Sequence, residues 1–174
     1  MEQQNPKTQP VKITITIPTN AYFMSGIRDF TLSMIKNMTN FTEQWAFRFQ
    51  AVVDELCNNA IEHGSGPNQE IKIIFINYPS EGIEILIEDT GTGSVKIKAE
   101  DLQKIVAERT KAGYPFSSIR GRGLAKIVAA WTDELEFIDL PTGGIRARIK
   151  KLLATPLPKL SGVSQDPTHV ILTA

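Results

Sequence analysis

Residues 55–64 read ELCNNAIEHG, and their spacing decides how this chain folds. Glu55, Asn59 and His63 recur every four positions, so on a helix they share one face. Ala46, Phe49, Val53, Leu56 and Ala60 form an apolar stripe at the same helical period, adjoining the polar face without coinciding with it. The spacing predicts a long helix, opened by Thr42 with Glu43 and ended at His63-Gly64, where glycine suits a C-terminal cap. A carboxylate and a carboxamide one turn apart suit a phosphate site. The Asn59 carbonyl is a hard, neutral oxygen fit for Mg²⁺, and Glu55 can take a proton from an attacking hydroxyl or water. Taken alone, the stretch reads equally well as polar residues at a helix boundary.

Upstream, Val11–Pro18 (VKITITIP) alternates β-branched and polar residues, as a half-buried strand does. Asn20 then caps a helix expected to run to about residue 37, with Phe23, Ile27, Phe30, Met34 and Met38 as its apolar face. Downstream, residues 71–78 and 83–89 read as two strands joined by the turn Pro79-Ser80-Glu81-Gly82. A short helix is expected over residues 101–111, broken by Gly113 and Pro115, and another over 123–131. Residues 134–140 and Ile145–Leu152 form a closing strand pair around Pro141-Thr142-Gly143-Gly144. Short turns force antiparallel pairing, and the helices then cover one face of the sheet.

Two further segments carry chemistry. Asp89-Thr90-Gly91-Thr92-Gly93 follows a strand directly. There Asp89 can accept a hydrogen bond from an exocyclic amine such as that of adenine, while Gly91 and Gly93 permit positive φ and close approach to a ligand. By itself this reads as a turn. Arg120-Gly121-Arg122-Gly123-Leu124 opens the next helix, where free N–H groups can cradle phosphate. By itself this reads as a hinge.

The order is more specific than the pieces: a helix with Glu-x-x-x-Asn, a strand ending in Asp-x-Gly-x-Gly, a long loop, then Gly-x-Gly-Leu into a helix. In that order the chain resembles the GHKL ATPases. Glu55, Asn59, Ala60 and His63 match their N box, Asp89, Gly91 and Gly93 the first glycine box, and Gly121, Gly123 and Leu124 the second. The resemblance spans residues 11–152. It implies a Bergerat fold: an α+β, two-layer α/β sandwich with a mixed, largely antiparallel sheet, helices on one face and a long ATP lid over residues 94–120. Residues 1–10 are then a loose lead, 11–153 the ATPase domain and 154–174 a tail.

Asn58-Asn59-Ala60-Ile61-Glu62-His63-Gly64 is similar to the anti-sigma-factor serine kinases in particular. That resemblance implies ATP and Mg²⁺ as cofactors. It makes Glu55 the catalytic base and Asn59 the metal ligand. His63, Asp89, Gly91, Gly93, Arg120, Gly121, Gly123 and Leu124 join Asn59 around the nucleotide. It also implies that Arg28 faces the phosphorylatable serine of a small antagonist protein, with a sigma factor as second partner and a homodimer formed through the first strand and helix. Lid residues Arg109, Lys111 and Arg120 are placed to reach phosphates or to lie in solvent. The chain departs from the family before its last strand, where Gly143-Gly144-Ile145 replaces the usual Gly-Thr with its threonine near adenine. Two other readings stand beside the kinase: a nucleotide-gated binding module without phosphoryl transfer, and a stand-alone histidine-kinase catalytic domain.

Composition agrees with a globular domain and narrows the partners. In 174 residues, 19 basic side chains balance 19 acidic ones, which gives no electrostatic footprint for nucleic acid. The single cysteine, Cys57, excludes an intrachain disulfide. No apolar run approaches the roughly 20 residues that span a bilayer, and residues 1–10 lack an apolar signal core. The expected location is the cytoplasm, with no direct nucleic-acid or membrane partner.

Overall fold

The computed structural model describes residues 9–111 and 129–153. Arg120, Gly121, Gly123 and Leu124, the break at Gly113 and Pro115, residues 1–8 of the lead and the tail 154–174 lie outside the described residues. Of the helix expected over residues 123–131, only the turn Ala129–Trp131 is described.

The elements follow in the order β1 (Val11–Pro18), α1 (Met24–Met38), α2 (Glu43–Asn59), β2 (Glu70–Tyr78), β3 (Gly82–Glu88), α3 (Ala99–Arg109), β4 (Glu134–Asp139) and β5 (Ile145–Leu152). The sheet order is β1-β2-β3-β5-β4. Every pair among the described strands is antiparallel. The fold is thus the expected two-layer α+β sandwich.

Alternation along the strands sorts the two faces. Ile73, Phe75, Ile85, Ile87 and Ile149 point to the helices and are fully buried with Phe49, Val52 and Val53. Each such side chain stabilises the fold by about 1.5–3 kcal/mol. On the opposite face Arg148 pairs with Glu84 and Glu134, and Arg146 with Glu88. Their aliphatic stems lie over the same face as Ile74 and Leu86, which are only 7% and 8% exposed. This charged lattice lets the second face meet water without a helix layer.

The α1 face differs from the expected one. Met24, Ile27, Thr31, Met34 and Ile35 are buried, whereas Phe23 is 40% and Met38 42% exposed and Phe30 is partly buried. Asn20 does cap, accepting from the Tyr22 amide at 2.9 Å, but what it caps is the 3₁₀ turn Ala21–Phe23. Three residues per turn there, against 3.6 in α1, shift the phase of the stripe. At its far end, α1 gives the Met38 carbonyl to Asn77 Nδ2 at 2.6 Å, which also satisfies the buried Asn77.

All five residues of the expected stripe are buried, four in α2 and Ala60 just beyond its end. Thr42 stands at the N-cap without a side-chain bond. The α-helix ends at Asn59 and widens into the π turn Ala60–Gly64, closed by the Ser65 amide on the Ala60 carbonyl at 2.8 Å. Gly64 is not a left-handed cap, since its φ is not positive; its glycine is needed for a tertiary contact described below.

Candidate functional site

Three elements converge at one end of the sheet: the α2 end with its π turn, the last residue of β3 with the loop after it, and the start of β5. Between them and α3 lies a cavity of about 440 Å³. Leu56, Ala60, Ile87, Ile145 and Ala147 give it an apolar base.

Asp89 sits on this wall at the end of β3. Its Oδ1 accepts from the Gly91 amide at 2.8 Å and the Ile145 amide at 3.0 Å. Both bonds fall on one oxygen, so Oδ2 keeps its acceptor capacity. Burial pushes the Asp89 carboxyl above its ordinary value, while the Ile145 and Gly91 amides pull it back. Gly91 takes φ +67°, a left-handed conformation that lets the chain turn beneath Asp89. Gly93 does not; its amide donates to the Gly64 carbonyl at 3.1 Å, and a side chain there would collide with the His63 carbonyl.

Asn59 and His63 also line the cavity. Asn59 Nδ2 donates to the Glu55 carbonyl at 2.8 Å and approaches Glu55 Oε1 at 3.2 Å. A carbonyl can only accept, so this bond fixes the amide and leaves Asn59 Oδ1 available. Glu55 is not on the cavity wall; it is half-buried one turn back and reaches the site through Asn59. His63 is exposed, with Nε2 3.8 Å from the Glu62 carboxylate. Among the described residues no group of three His, Cys, Asp or Glu side chains could hold a metal. A cation held by Asn59 would therefore complete its shell with water and ligand oxygens, as Mg²⁺ commonly does.

The structure brings Asn59, His63, Asp89 and Gly91 together around one cavity. Gly93 lies behind the wall, on an open concavity shared with Thr92 and Ser65. Arg28 is away from the cavity on α1, its Nε 2.7 Å from Asp54 Oδ1. Arg109 and Lys111, at the end of α3, do not line it. Arg120, Gly121, Gly123 and Leu124 lie outside the described residues.

The sequence reading put the opposite wall within the lid but named none of the residues that form it. Val95, Lys96, Ile97, Lys98 and Leu102 form it, with Phe137 and Asp139 from β4. Asp139 Oδ1 accepts from the Ala99 amide at 3.1 Å and so caps α3 from another strand. One signal was present: Asp139 ends β4 as Asp89 follows β3. No described helix is long and apolar enough to cross a membrane.

A family model for the histidine kinase-like ATPase domain matches residues 17–149. No curated protein matches the chain.

Proposed function

The chain belongs to the histidine kinase-like ATPase family, and from that premise we propose an ATP- and Mg²⁺-dependent protein serine/threonine kinase of the anti-sigma-factor type. The observation that carries this reading is the Glu55–Asn59 pair. The amide nitrogen of Asn59 is committed to Glu55, so its carbonyl oxygen is left for Mg²⁺ and the Glu55 carboxylate is held one turn away.

The cavity fits a nucleotide. Its apolar base suits a purine, Asp89 Oδ2 offers an acceptor for the adenine amine, and Gly64 and Gly91 let the backbone pack closely against Asp89 and Gly143. ATP, when bound, supplies the γ-phosphoryl group. Asp89 selects the base, Asn59 holds the cation and His63 lines the site. Gly91 shapes the near wall with Gly93 behind it, and the resemblance assigns Arg120, Gly121, Gly123 and Leu124 of the second glycine box to the nucleotide as well. Glu55 accepts the proton of the incoming serine hydroxyl as that oxygen bonds to phosphorus and ADP departs. Positioning and charge neutralisation dominate such transfers, so one base and one metal ligand are a sufficient protein contribution.

Arg28 supports a protein acceptor. Its ion pair with Asp54 ties it to α2, the helix that carries Glu55, and it is the residue we assign to the acceptor protein. The partner we propose is a small antagonist protein bearing that serine, with a sigma factor as second target, in the cytoplasm. A homodimer would form through β1 and α1.

One observation favours a second reading, a nucleotide-gated binding module. Gly143-Gly144-Ile145, with Gly144 packed against the Asp89 carbonyl, stands where the family carries Gly-Thr, so the threonine contact near adenine is missing. An ATP-dependent pull-down followed by phosphosite mapping separates the two. Phosphoserine or phosphothreonine on a retained protein is the expected result. Retention without transfer establishes the binding module, and phosphohistidine overturns the serine kinase.

A further inference from the structure

We propose that Lys96 and Lys98 are the residues that recognise the polyphosphate of the ligand, drawing specificity for charged nucleotides from the wall opposite Asn59. This inference rests on the nucleotide reading of the cavity and goes beyond it, because the residue pattern assigned that task to the α3 end and the segment beyond.

The fixed charges on the described wall are few. Asp89 and Asp139 contribute two carboxylates, each held by backbone amides and neither by a cation. Lys96 and Lys98 are the lysines that line the same cavity, and no arginine lines it among the described residues. A nucleoside triphosphate carries several negative charges into this partly apolar space. Beyond the Mg²⁺ proposed at Asn59, it would face two carboxylates across a region where charges are poorly screened.

Five of the seven other described lysines pair with a carboxylate, and the remaining two, Lys12 and Lys111, do not line the cavity. Lys36, Lys72, Lys104, Lys150 and Lys151 each have a carboxylate partner. Lys96 and Lys98 have none among the described residues. Lys96 instead directs its ammonium at the Gly91 carbonyl, two residues beyond Asp89. A neutral carbonyl is a weaker partner for an ammonium than a phosphate oxygen, because bonds between two ions are the stronger class. Lys96 can therefore exchange one for the other.

The backbone between them is anchored at both ends. At its start the Val95 amide donates to the His63 carbonyl at 3.4 Å and the Gly93 amide to the Gly64 carbonyl at 3.1 Å. At its end the Ala99 amide is held by Asp139. Only the two long side chains need to move to meet a ligand.

Calorimetric titration of the full chain with Mg-ATP and with adenosine tests this. Lys96→Ala and Lys98→Ala should each weaken ATP about 5–10-fold, the range between exposed and well-formed charged bonds. Adenosine affinity should change less than about twofold, because adenosine has no phosphate to lose. Lys96→Arg should retain ATP binding. Added salt should weaken ATP less in the double variant than in the wild type. Equal losses for ATP and adenosine would show that Lys96 merely props the Gly91 turn, and unchanged ATP affinity in the double variant would remove both lysines. Wild type that binds adenosine but is indifferent to phosphate also overturns the proposal. Wild type that binds neither ligand overturns the nucleotide reading beneath it.

Discussion

The Cα of Gly64 packs directly against the side chain of Asp89, so that a Cβ at residue 64 would fall 2.5 Å from the Asp89 carboxyl carbon and 2.7 Å from its Cβ. Only glycine lets the end of the π turn and the end of β3 come this close. Gly64→Ala should therefore displace the carboxylate rather than the helix. Overpacking of this kind costs about 1–3 kcal/mol, which a denaturant titration would read. The nucleotide effect should be larger than that loss accounts for, since the folded fraction of the variant would also bind adenosine more weakly. Wild-type adenosine affinity in the folded variant would show that the contact does not position Asp89.

Asp89→Asn separates charge from geometry. Asparagine Oδ1 can still accept from the Gly91 and Ile145 amides, but its other position becomes a donor where the carboxylate had an acceptor. Adenine affinity should fall about 10–100-fold, the worth of one hydrogen bond to a charged group. Stability should move the other way. Burial raises the folded-state pKa of Asp89, so the folded protein holds this proton more tightly than the unfolded chain does. Wild-type stability from this group therefore falls as pH rises from the ordinary carboxylate value through the raised one, and the cost persists at neutral pH. The variant should melt at or above the wild-type temperature at pH 7, with the difference closing in acid. A variant less stable than wild type at neutral pH would contradict this sign.

Much of this was legible because periodicity reports local geometry. Residues 145–150 alternate strictly, and the strand has the expected bounds, Ile145–Leu152. The α2 stripe and the Glu55-Asn59-His63 face both follow from a 3.6-residue turn. What the period could not show is where it changes. The 3₁₀ turn before α1 rotated its buried face, and after Asn59 the helix widens into a π turn that ends at Gly64. Tertiary contacts were less visible still. Gly64 reads as a cap in sequence because its true partner, Asp89, is 25 positions on. Lys96 and Lys98 fall within the expected lid, but nothing local singles them out as cavity-wall residues.

Lys151 is the other residue whose surroundings the alternation hides. It continues the inward face of Ile145, Ala147 and Ile149, and its side chain is 3% exposed. Its Nζ lies 2.7 Å from Asp133 Oδ1 and 4.8 Å from the Trp45 ring centroid. Lys151→Met keeps the stem but takes the ammonium from a carboxylate that is only 19% exposed, leaving it the Leu152 amide at 2.6 Å. Removing one partner of such a pair costs about 3–5 kcal/mol. Thermal unfolding should show that loss, and adding Asp133→Asn should restore part of it. A double variant no better than Lys151→Met alone would assign the loss to the Trp45 contact instead.

Glu55→Gln addresses the transfer step itself. Glutamine Oε1 can still accept from Asn59 Nδ2, and the Glu55 backbone carbonyl that holds the amide is untouched. Asn59 should therefore keep its orientation, and Mg-ATP affinity should change little. What the substitution removes is the basic oxygen, and general-base assistance is worth about 10²–10⁴-fold in rate. Single-turnover transfer to the isolated partner at saturating Mg-ATP should slow by about that factor. Because Glu55 stands behind Asn59 and not on the cavity wall, nucleotide affinity and rate must be measured on the same protein. A loss confined to affinity would make Glu55 a positioning residue for Asn59. Equal rates in the two proteins would place the base elsewhere. Transfer by neither protein, with partner release still dependent on ATP, would leave a binding module in which nucleotide alone sets the state.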